Sequence, residues 1–232
     1  TIYARIENND NTNCFDTISF MIEMFDTPTA NTANNLLECD DDNDGFFVFD
    51  LSVNDALILD TQDATQFSIT YHYSQADANS GNNSLATSHT NTTNAQTIFA
   101  RIESNVNTNC FDTTSFTIEV FDTPTANVAD DLLQCDDDND GFFAFDLDQK
   151  TTNGIGNQDN TMFTVTYHQT QAEADININN LLSPYTNLTA YQEEEIFVRI
   201  ENNFNNNCFD TSSFLIDVFD TPTANSIVDF EF

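Results

Sequence analysis

Basic residues are almost missing from this sequence. Only four lysines and arginines stand against 39 aspartates and glutamates, which gives a formal net charge of −35. Such a charge repels phosphate backbones and anionic lipid head groups, so we expect no nucleic-acid binding and no binding to a membrane surface. Apolar stretches are short, none approaching the roughly 20 residues of a membrane-spanning helix, so we expect no membrane insertion. Metal cations are the natural counter-ions of this chain.

Catalytic motifs are missing as well. The chain has no Gly-x-Ser-x-Gly elbow and no Ser/His/Asp or Cys/His arrangement, so we predict that it is not an enzyme. His72 and His168 follow the same strand pattern in two repeats, which indicates a structural role. Tryptophan is absent, which leaves no obvious platform for a sugar ring. The 22 phenylalanines and six tyrosines can nevertheless build cores, which predicts a folded protein and not an acidic tail.

The sequence repeats itself with a period near 96 residues. Arg5, Arg101 and Arg199 lie in three copies of an Ile-x-x-Arg-Ile-Glu segment, and each copy is followed by Asn-Cys-Phe-Asp-Thr and then by Phe-Asp-Thr-Pro-Thr-Ala-Asn. We expect each arginine to pair with a carboxylate. A period of this length is too long for a solenoid and suits an independently folding domain.

Proline positions suggest the boundaries of the repeats. Pro28, Pro124 and Pro222 each follow a strand-like run, and proline cannot continue a hydrogen-bonded ladder. We therefore predict two complete repeats at residues 31–126 and 127–225. Residues 1–30 would be the C-terminal part of a preceding repeat, and residues 226–232 would begin a following one.

Apolar residues alternate with polar ones along most of each repeat, which is typical of β-strands. Ile98, Ala100 and Ile102 share one face of such a strand, and Phe116 and Ile118 share a face of the next. Six or seven short strands per repeat predict an all-β fold, with tandem immunoglobulin-like β-sandwich domains in a linear array.

An aspartate-rich motif occurs once in each complete repeat. Its carboxylates alternate and a glycine stands at the sixth position, which is the ligand spacing of a calcium loop. A further aspartate at position 11 completes each predicted Ca²⁺ ligand set, although the flanking strands rule out an EF-hand. The alternative is a solvated acidic turn. The predicted ligands are Asp40, Asp42, Asp44 and Asp50 in the first repeat and Asp136, Asp138, Asp140 and Asp146 in the second.

The chain has five cysteines, and counting alone does not pair them. We favour bonds within repeats, Cys39–Cys110 and Cys135–Cys208, because these close the longer loops. Cys14 then lacks a partner. The rival scheme pairs Cys14 with Cys39 and Cys110 with Cys135, and a third possibility is that the cysteines are reduced.

Several of these motifs together resemble a known group of proteins. Cys-Asp-Asp-Asp-Asn-Asp-Gly-Phe-Phe, Thr-Tyr-His, Ser183-Pro-Tyr-Thr-Asn187 and Ile-Phe-x-Arg-Ile-Glu are similar to repeats in large cell-surface proteins of flavobacteria and other Bacteroidota. Those proteins are typically exported by type IX secretion and include proteins similar to gliding-motility adhesins. The first repeat departs from the pattern, with Ala86-Thr-Ser-His-Thr-Asn91 in place of Ser-Pro-Tyr-Thr-Asn. The resemblance implies an extracellular, cell-surface location and a structural or adhesive role.

We therefore expect a stalk or filament segment of a surface adhesin, made rigid by calcium and disulfides and in contact with neighbouring repeats of the same protein. One alternative is a module that binds surface glycans or proteins through its divergent loops. Another is a self-assembling fibre, in which the tail Ile227–Phe232 of one copy completes the N-terminal hairpin of the next by strand addition.

Overall fold

The computed structural model describes residues 1–224. The predicted tail strand Ile227–Phe232, and with it the predicted start of a following repeat, lies outside the described residues. The chain forms two compact units. The first comprises Thr1–Leu36, Val48–Thr90 and Ala95–Ile118, and the second comprises Leu37–Phe47, Asn91–Asn94 and Glu119–Phe232. The aspartate loop of the first repeat therefore belongs to the second unit.

The N-terminal segment is a hairpin. Strand β1 (Ile2–Glu7) pairs antiparallel with β2 (Phe15–Phe20), and both strands are exposed along their whole length. The equivalent positions of the complete repeats are buried: Ile6 is 76% exposed, whereas Ile102 and Ile200 are 0% exposed. The apolar face of the hairpin therefore lacks the packing that its two counterparts have.

The strands of the first complete repeat are β3 (Leu36–Asp40), β4 (Val48–Asp50), β5 (Phe67–His72), β6 (Ser88–Thr90), β7 (Gln96–Ser104) and β8 (Phe111–Asp122). They form a four-stranded sheet in the order β3-β8-β7-β5 and a small sheet that pairs β4 with β6. The inward side chains of this repeat include Phe49, Tyr71, Ile98, Ile102 and Phe116, all buried. The Tyr71 and Phe116 rings meet edge to face at 6.1 Å.

The strands of the second complete repeat are β9 (Leu132–Asp136), β10 (Ala144–Phe145), β11 (Phe163–His168), β12 (Tyr185–Thr186), β13 (Glu194–Asn202) and β14 (Phe209–Asp220). They follow the same plan, with a sheet in the order β11-β13-β14-β9 and a small sheet that pairs β10 with β12. The neighbours β11, β13 and β14 pair antiparallel, but β9 lies parallel to β14, with Leu132 opposite Ile216.

Four short helices interrupt the strands, and the sequence pattern did not predict them. They are α1 (Asp55–Leu59), α2 (Gln75–Ser80), α3 (Thr151–Ile155) and α4 (Gln171–Ile176). Ser74 and Thr170 cap α2 and α4, because each side chain accepts a hydrogen bond from the backbone three residues on. No helix among residues 1–224 is long and apolar enough to cross a membrane.

The repeated arginine fastens a helix to the sheet in each complete repeat. Arg199 is buried; its Nε donates to Glu201 at 2.8 Å, and its Nη1 donates to the carbonyls of Ala174 and Asp175 at 2.9 Å. The guanidinium lies 3.6 Å from the centre of the Phe209 ring. Arg101 makes the same set of contacts in the first repeat. The predicted pairing of these arginines with carboxylates is confirmed.

Candidate functional site

The first aspartate loop is wound around its own backbone. Asp40 ends β3, and its carboxylate accepts a hydrogen bond from the N–H of Gly45 at 2.6 Å. Asn43 and Gly45 have positive φ angles of 54° and 82°, a conformation that asparagine and glycine adopt most readily. As a result, one carboxylate oxygen from each of Asp40, Asp42 and Asp44 lies within 4.8 Å of the other two.

The second loop repeats this geometry. Asp136 accepts from the N–H of Gly141 at 2.5 Å and also from Asp138 and Asn139, and carboxylate oxygens of Asp136, Asp138 and Asp140 lie within 4.8 Å of one another. Each loop therefore brings together three predicted metal ligands, of which the first is buried and the other two are exposed.

The fourth predicted ligand of each repeat does not join its group. Asp50 accepts from the backbone and hydroxyl of Ser52 and caps the 3₁₀ turn Leu51–Asn54. Asp146 accepts from the Ser183 hydroxyl at 2.9 Å. The Asp50 carboxylate therefore stabilises a local turn, and the Asp146 carboxylate holds a residue 37 positions further along the chain.

Two carboxylates of each loop, the first and the second predicted ligand, have pKa values shifted in opposite directions. Burial alone would raise the pKa of Asp40, but hydrogen bonds from the Gly45 backbone and from Asp42 outweigh it and hold that pKa below its usual value. The hydrogen bond to Asp40 and the charge of Asp44 raise the pKa of Asp42. The same causes raise the pKa of Asp138 in the second loop. Mutual repulsion of this kind is relieved by a proton or by a bound cation.

Each aspartate loop is also hydrogen-bonded to the exit of its repeat, which is the Thr-Pro segment that follows the last strand. The Thr123 N–H, just before Pro124, donates to the Asn43 side chain at 2.9 Å and to the Asp40 carbonyl at 3.1 Å. In the second repeat, Thr221 makes the same contacts with Asn139 and Asp136. The aspartate loop is therefore part of the segment that leads out of each repeat.

A disulfide stands next to the first loop and corrects the predicted pairing. Cys39 is bonded to Cys208, with a Cα–Cα distance of 5.3 Å and a sequence separation of 169 residues. Cys14, Cys110 and Cys135 are free. The predicted bonds Cys39–Cys110 and Cys135–Cys208 are therefore wrong, and so is the rival scheme. The observed bond joins the first sequence repeat to the second.

Strand direction explains the error. In the parallel pairing of β9 with β14, Cys135 lies opposite Phe219, eleven residues beyond Cys208. At about 3.3 Å per residue this places Cys135 and Cys208 about 35 Å apart, whereas a disulfide needs Cα atoms within about 7 Å. Cys39 is kept away from Cys110 in the same way. Its neighbour Asp40 accepts a hydrogen bond from Thr123, which lies just past the far end of β8, whereas Cys110 lies just before the start of β8.

Asn202 stabilises the turn that ends at the disulfide-bonded Cys208. The sequence pattern did not identify this residue. Its side chain is buried and donates to the Asp122 carbonyl at 2.9 Å, and its N–H donates to the Cys208 carbonyl at 2.9 Å. Asp122 is the last residue of the first repeat's final strand, so this bond reinforces the disulfide. The equivalent position in the first repeat is Ser104.

The two aspartate loops differ in whether other side chains pack over their glycine. A Cβ at Gly141 would lie 2.6 Å from the Ala190 side chain and 2.8 Å from the Tyr191 ring, whereas a Cβ at Gly45 would meet nothing within 4 Å. A hydrogen bond to Asp220, together with burial and the charges of Asp136 and Asp140, raises the pKa of Tyr191. Tyr191 therefore lies over the second loop, and the first loop is open above Gly45.

The chain has distant similarities to solved structures. The chain shares 12% identity with the I-band fragment I67-I69 from titin (TM-score 0.32), covering 85% of this chain and 65% of the fragment. It shares 12% with the extracellular cadherin domains 1-5 of protocadherin gamma B2 (TM-score 0.25; 94% and 46% covered) and 8% with human mucin-like protocadherin EC1-2 (TM-score 0.23; 82% and 97% covered). No curated protein sequence matches the chain.

The family assignment is specific. The Flavobacterium inter-domain disulphide bond domain matches residues 35–124 and again residues 131–222. The two equivalent sets of sheets and the two copies of the family domain confirm the predicted fold of tandem β-sandwiches and the predicted resemblance to flavobacterial repeats. Tandem domains joined by a disulfide indicate a structural, extracellular segment, because disulfides persist in oxidising surroundings. The chain belongs to the Flavobacterium inter-domain disulphide bond domain family, of which it contains two tandem copies.

Proposed function

We propose that the chain is a stalk segment of a cell-surface adhesin, in which disulfides and calcium stiffen the connections between successive repeats. The observation that carries this proposal is the Cys39–Cys208 bond between the two repeats, directly beside Asp40 of the first aspartate loop. A role of this kind is structural and requires no catalytic residues.

The donor set of each loop suits calcium. Ca²⁺ takes six to eight oxygen ligands in flexible geometry, and each loop offers three clustered carboxylates that repel one another without a cation. Asn43 and Asn139 are engaged with Thr123 and Thr221, so water or carbonyl oxygens would supply the remaining ligands. Few protein ligands suggest a dissociation constant of about 10⁻⁴–10⁻³ M, as in extracellular calcium modules. An ion there would reinforce the loop that holds the exit of the repeat.

The free cysteines extend the same scheme. Cys110 and Cys208 end equivalent turns, in which the residue six positions earlier donates its N–H to the cysteine carbonyl at 2.9 Å. Cys14 ends a third such turn at the same distance. Cys135 matches Cys39, since each is the fourth residue of the first strand of its repeat. The Cys39–Cys208 bond joins the first strand of one repeat to the turn before the last strand of the next. We infer that the free cysteines form equivalent bonds with neighbouring repeats of the same protein.

Melting curves of the whole oxidised chain test the calcium part of the proposal. Saturating Ca²⁺ is expected to raise the melting temperature, and EDTA is expected to lower it to the metal-free value. The Asp42→Asn/Asp138→Asn double variant removes one central ligand per loop and is the matched control, because it should lose the response while keeping the fold. A melting temperature that does not respond to Ca²⁺ or EDTA would contradict calcium binding.

Terbium luminescence tests binding at one loop directly. Because Tyr191 lies over Gly141, Tb³⁺ in the second loop should be excited through this tyrosine. Tyr191→Phe and Asp138→Asn are expected to weaken the sensitised emission, whereas Asp42→Asn is expected to leave most of it. Equal emission from all three variants would argue against an ion at the second loop.

A groove in the second repeat favours binding of surface glycans as a second candidate function. It is open, has a volume of about 610 Å³, and offers amide, hydroxyl and carboxylate groups beside Leu188 and Phe197. Such groups can bond sugar hydroxyls. A glycan array with the whole chain tests this candidate, with Gln169→Ala and Gln192→Ala as variants. Unchanged binding in both variants, or no binding at all, would contradict it.

A further inference from the structure

We propose that, where Cys110 and Cys135 are free as in this chain, the Cys39–Cys208 disulfide carries tension through this segment and leaves the chain between the two cysteines free of load. The inference rests on the proposed stalk function only for the source of the tension. The mechanical consequence follows from the covalent connection itself.

The bond closes a very large loop. Cys39 and Cys208 are 169 residues apart, so residues 40–207 lie inside the loop. A pull applied before Cys39 and after Cys208 passes directly across the sulfur atoms. Both aspartate loops and the Thr123-Pro124 exit of the first repeat lie outside the path of the force. At about 3.3–3.6 Å per residue, the loop withholds about 550–600 Å of chain from extension.

The strand that remains under load is pulled along its own axis. β14 begins at Phe209, directly after Cys208, and ends at Asp220. Tension that enters at Cys208 and leaves past Asp220 therefore runs along one continuous backbone. The hydrogen bonds of β14 to β13 and β9 do not lie in series with that backbone.

Without the bond, the same repeat would be loaded in shear. Tension would enter through β9, the first strand of the repeat, and leave through β14, the last. These two strands are parallel neighbours in register from Leu132 opposite Ile216 to Asp136 opposite Asp220. A pull on opposite ends of parallel neighbours must break their shared hydrogen bonds to separate them. The disulfide removes this mode of failure.

Single-molecule pulling of the whole chain, with handles at its two ends, tests the proposal. The Cys14→Ser/Cys110→Ser/Cys135→Ser variant can form only the Cys39–Cys208 bond, and adding Cys39→Ser and Cys208→Ser gives the matched chain without it. We expect the chain without the bond to unfold in steps whose total length gain includes the contour length of residues 40–207, about 550–600 Å. In the bonded chain this length should appear only after a reductant is added.

The wild-type chain, folded first and pulled before and after reduction, gives the same comparison without relying on the folding of the serine variants. Equal length gains before and after reduction would overturn the proposal. So would two withheld blocks of about 240 Å each, since these are the lengths that bonds within repeats would hide. Neither result bears on calcium, and a melting temperature that ignores EDTA would leave the tension path unaffected, so the two proposals fail separately.

Discussion

Asn43 and Thr123 exchange two hydrogen bonds. The Thr123 N–H donates to the Asn43 Oδ1 at 2.9 Å, and the Asn43 Nδ2 donates to the Thr123 carbonyl at 3.1 Å. Asn139 and Thr221 repeat the exchange at 2.8 and 3.4 Å. The exchange fastens each aspartate loop to the exit of its repeat, so the loop is a structural clasp even before an ion is considered.

Removal of this clasp should destabilise the first repeat. Asn43→Ala deletes both hydrogen bonds and also places alanine at a positive φ of 54°, so we expect a loss of about 1–3 kcal/mol of unfolding free energy. Asn43→Gly deletes the same bonds but tolerates the backbone, and should cost less. Urea unfolding followed by circular dichroism measures both. Equal stability of the wild type and the alanine variant would show that the clasp contributes nothing.

Acidification should affect the metal-free and the calcium-bound chain in opposite directions. The hydrogen bonds to Asp40 and Asp136, together with repulsion from Asp44 and Asp140, raise the pKa of Asp42 and Asp138, so the folded state binds their protons more readily than the unfolded state does. The metal-free chain should therefore gain stability as the pH falls from neutral toward the ordinary aspartate pKa. With Ca²⁺, protons compete with the ion, and stability should fall over the same range.

Melting temperatures at low ionic strength, measured with EDTA and with Ca²⁺, check this difference. At still lower pH, the depressed pKa of Asp40 and Asp136 reverses the sign, because the stability that these carboxylates contribute is lost as they are protonated. Asp42→Asn/Asp138→Asn should remove the gain seen without calcium. Parallel pH profiles with and without Ca²⁺ would contradict the assignment of the loops as cation sites.

The repeated arginine offers an internal comparison between a buried and an exposed copy. Arg199→Met leaves Glu201 and the carbonyls of Ala174 and Asp175 without their partner in a buried setting, so we expect a loss of about 3–5 kcal/mol. Arg5, in the exposed hairpin, pairs with Glu7 at 2.9 Å, and Arg5→Met should cost no more than about 1 kcal/mol. Denaturant unfolding of both variants measures the contrast. Similar losses would mean that burial of Arg199 is not what makes the contact stabilising.

The sequence predicted much of the fold because the repeat displays its periodicity three times. The alternation at Ile98, Ala100 and Ile102 placed a strand correctly, and the spacing of Asp40, Asp42 and Asp44 placed three carboxylates together. The short helices were missed because five or six residues are too few for a helical period. Their only local signal is a cap such as Ser74 with Asp77 three residues on.

The disulfide could not be read from the sequence for a different reason. Loop length favours a bond that closes a long loop but contains no information on strand direction. That information comes from the structure: β9 pairs parallel with β14, so Cys135 lies opposite Phe219 and far from Cys208. The distance of Asp50 from its expected ligand group has a similar origin, since the turn after β4 engages that carboxylate with Ser52.

Non-reducing peptide mapping of the whole chain by mass spectrometry is the most direct measurement of the bond on which the stalk and the tension path depend. Free thiols are first blocked, and the chain is then cleaved without reduction. We predict a single linked pair of peptides that contains Cys39 and Cys208, with label on Cys14, Cys110 and Cys135. A Cys39–Cys110 or Cys135–Cys208 pair, or label on all five cysteines, would contradict the covalent connection between the two repeats.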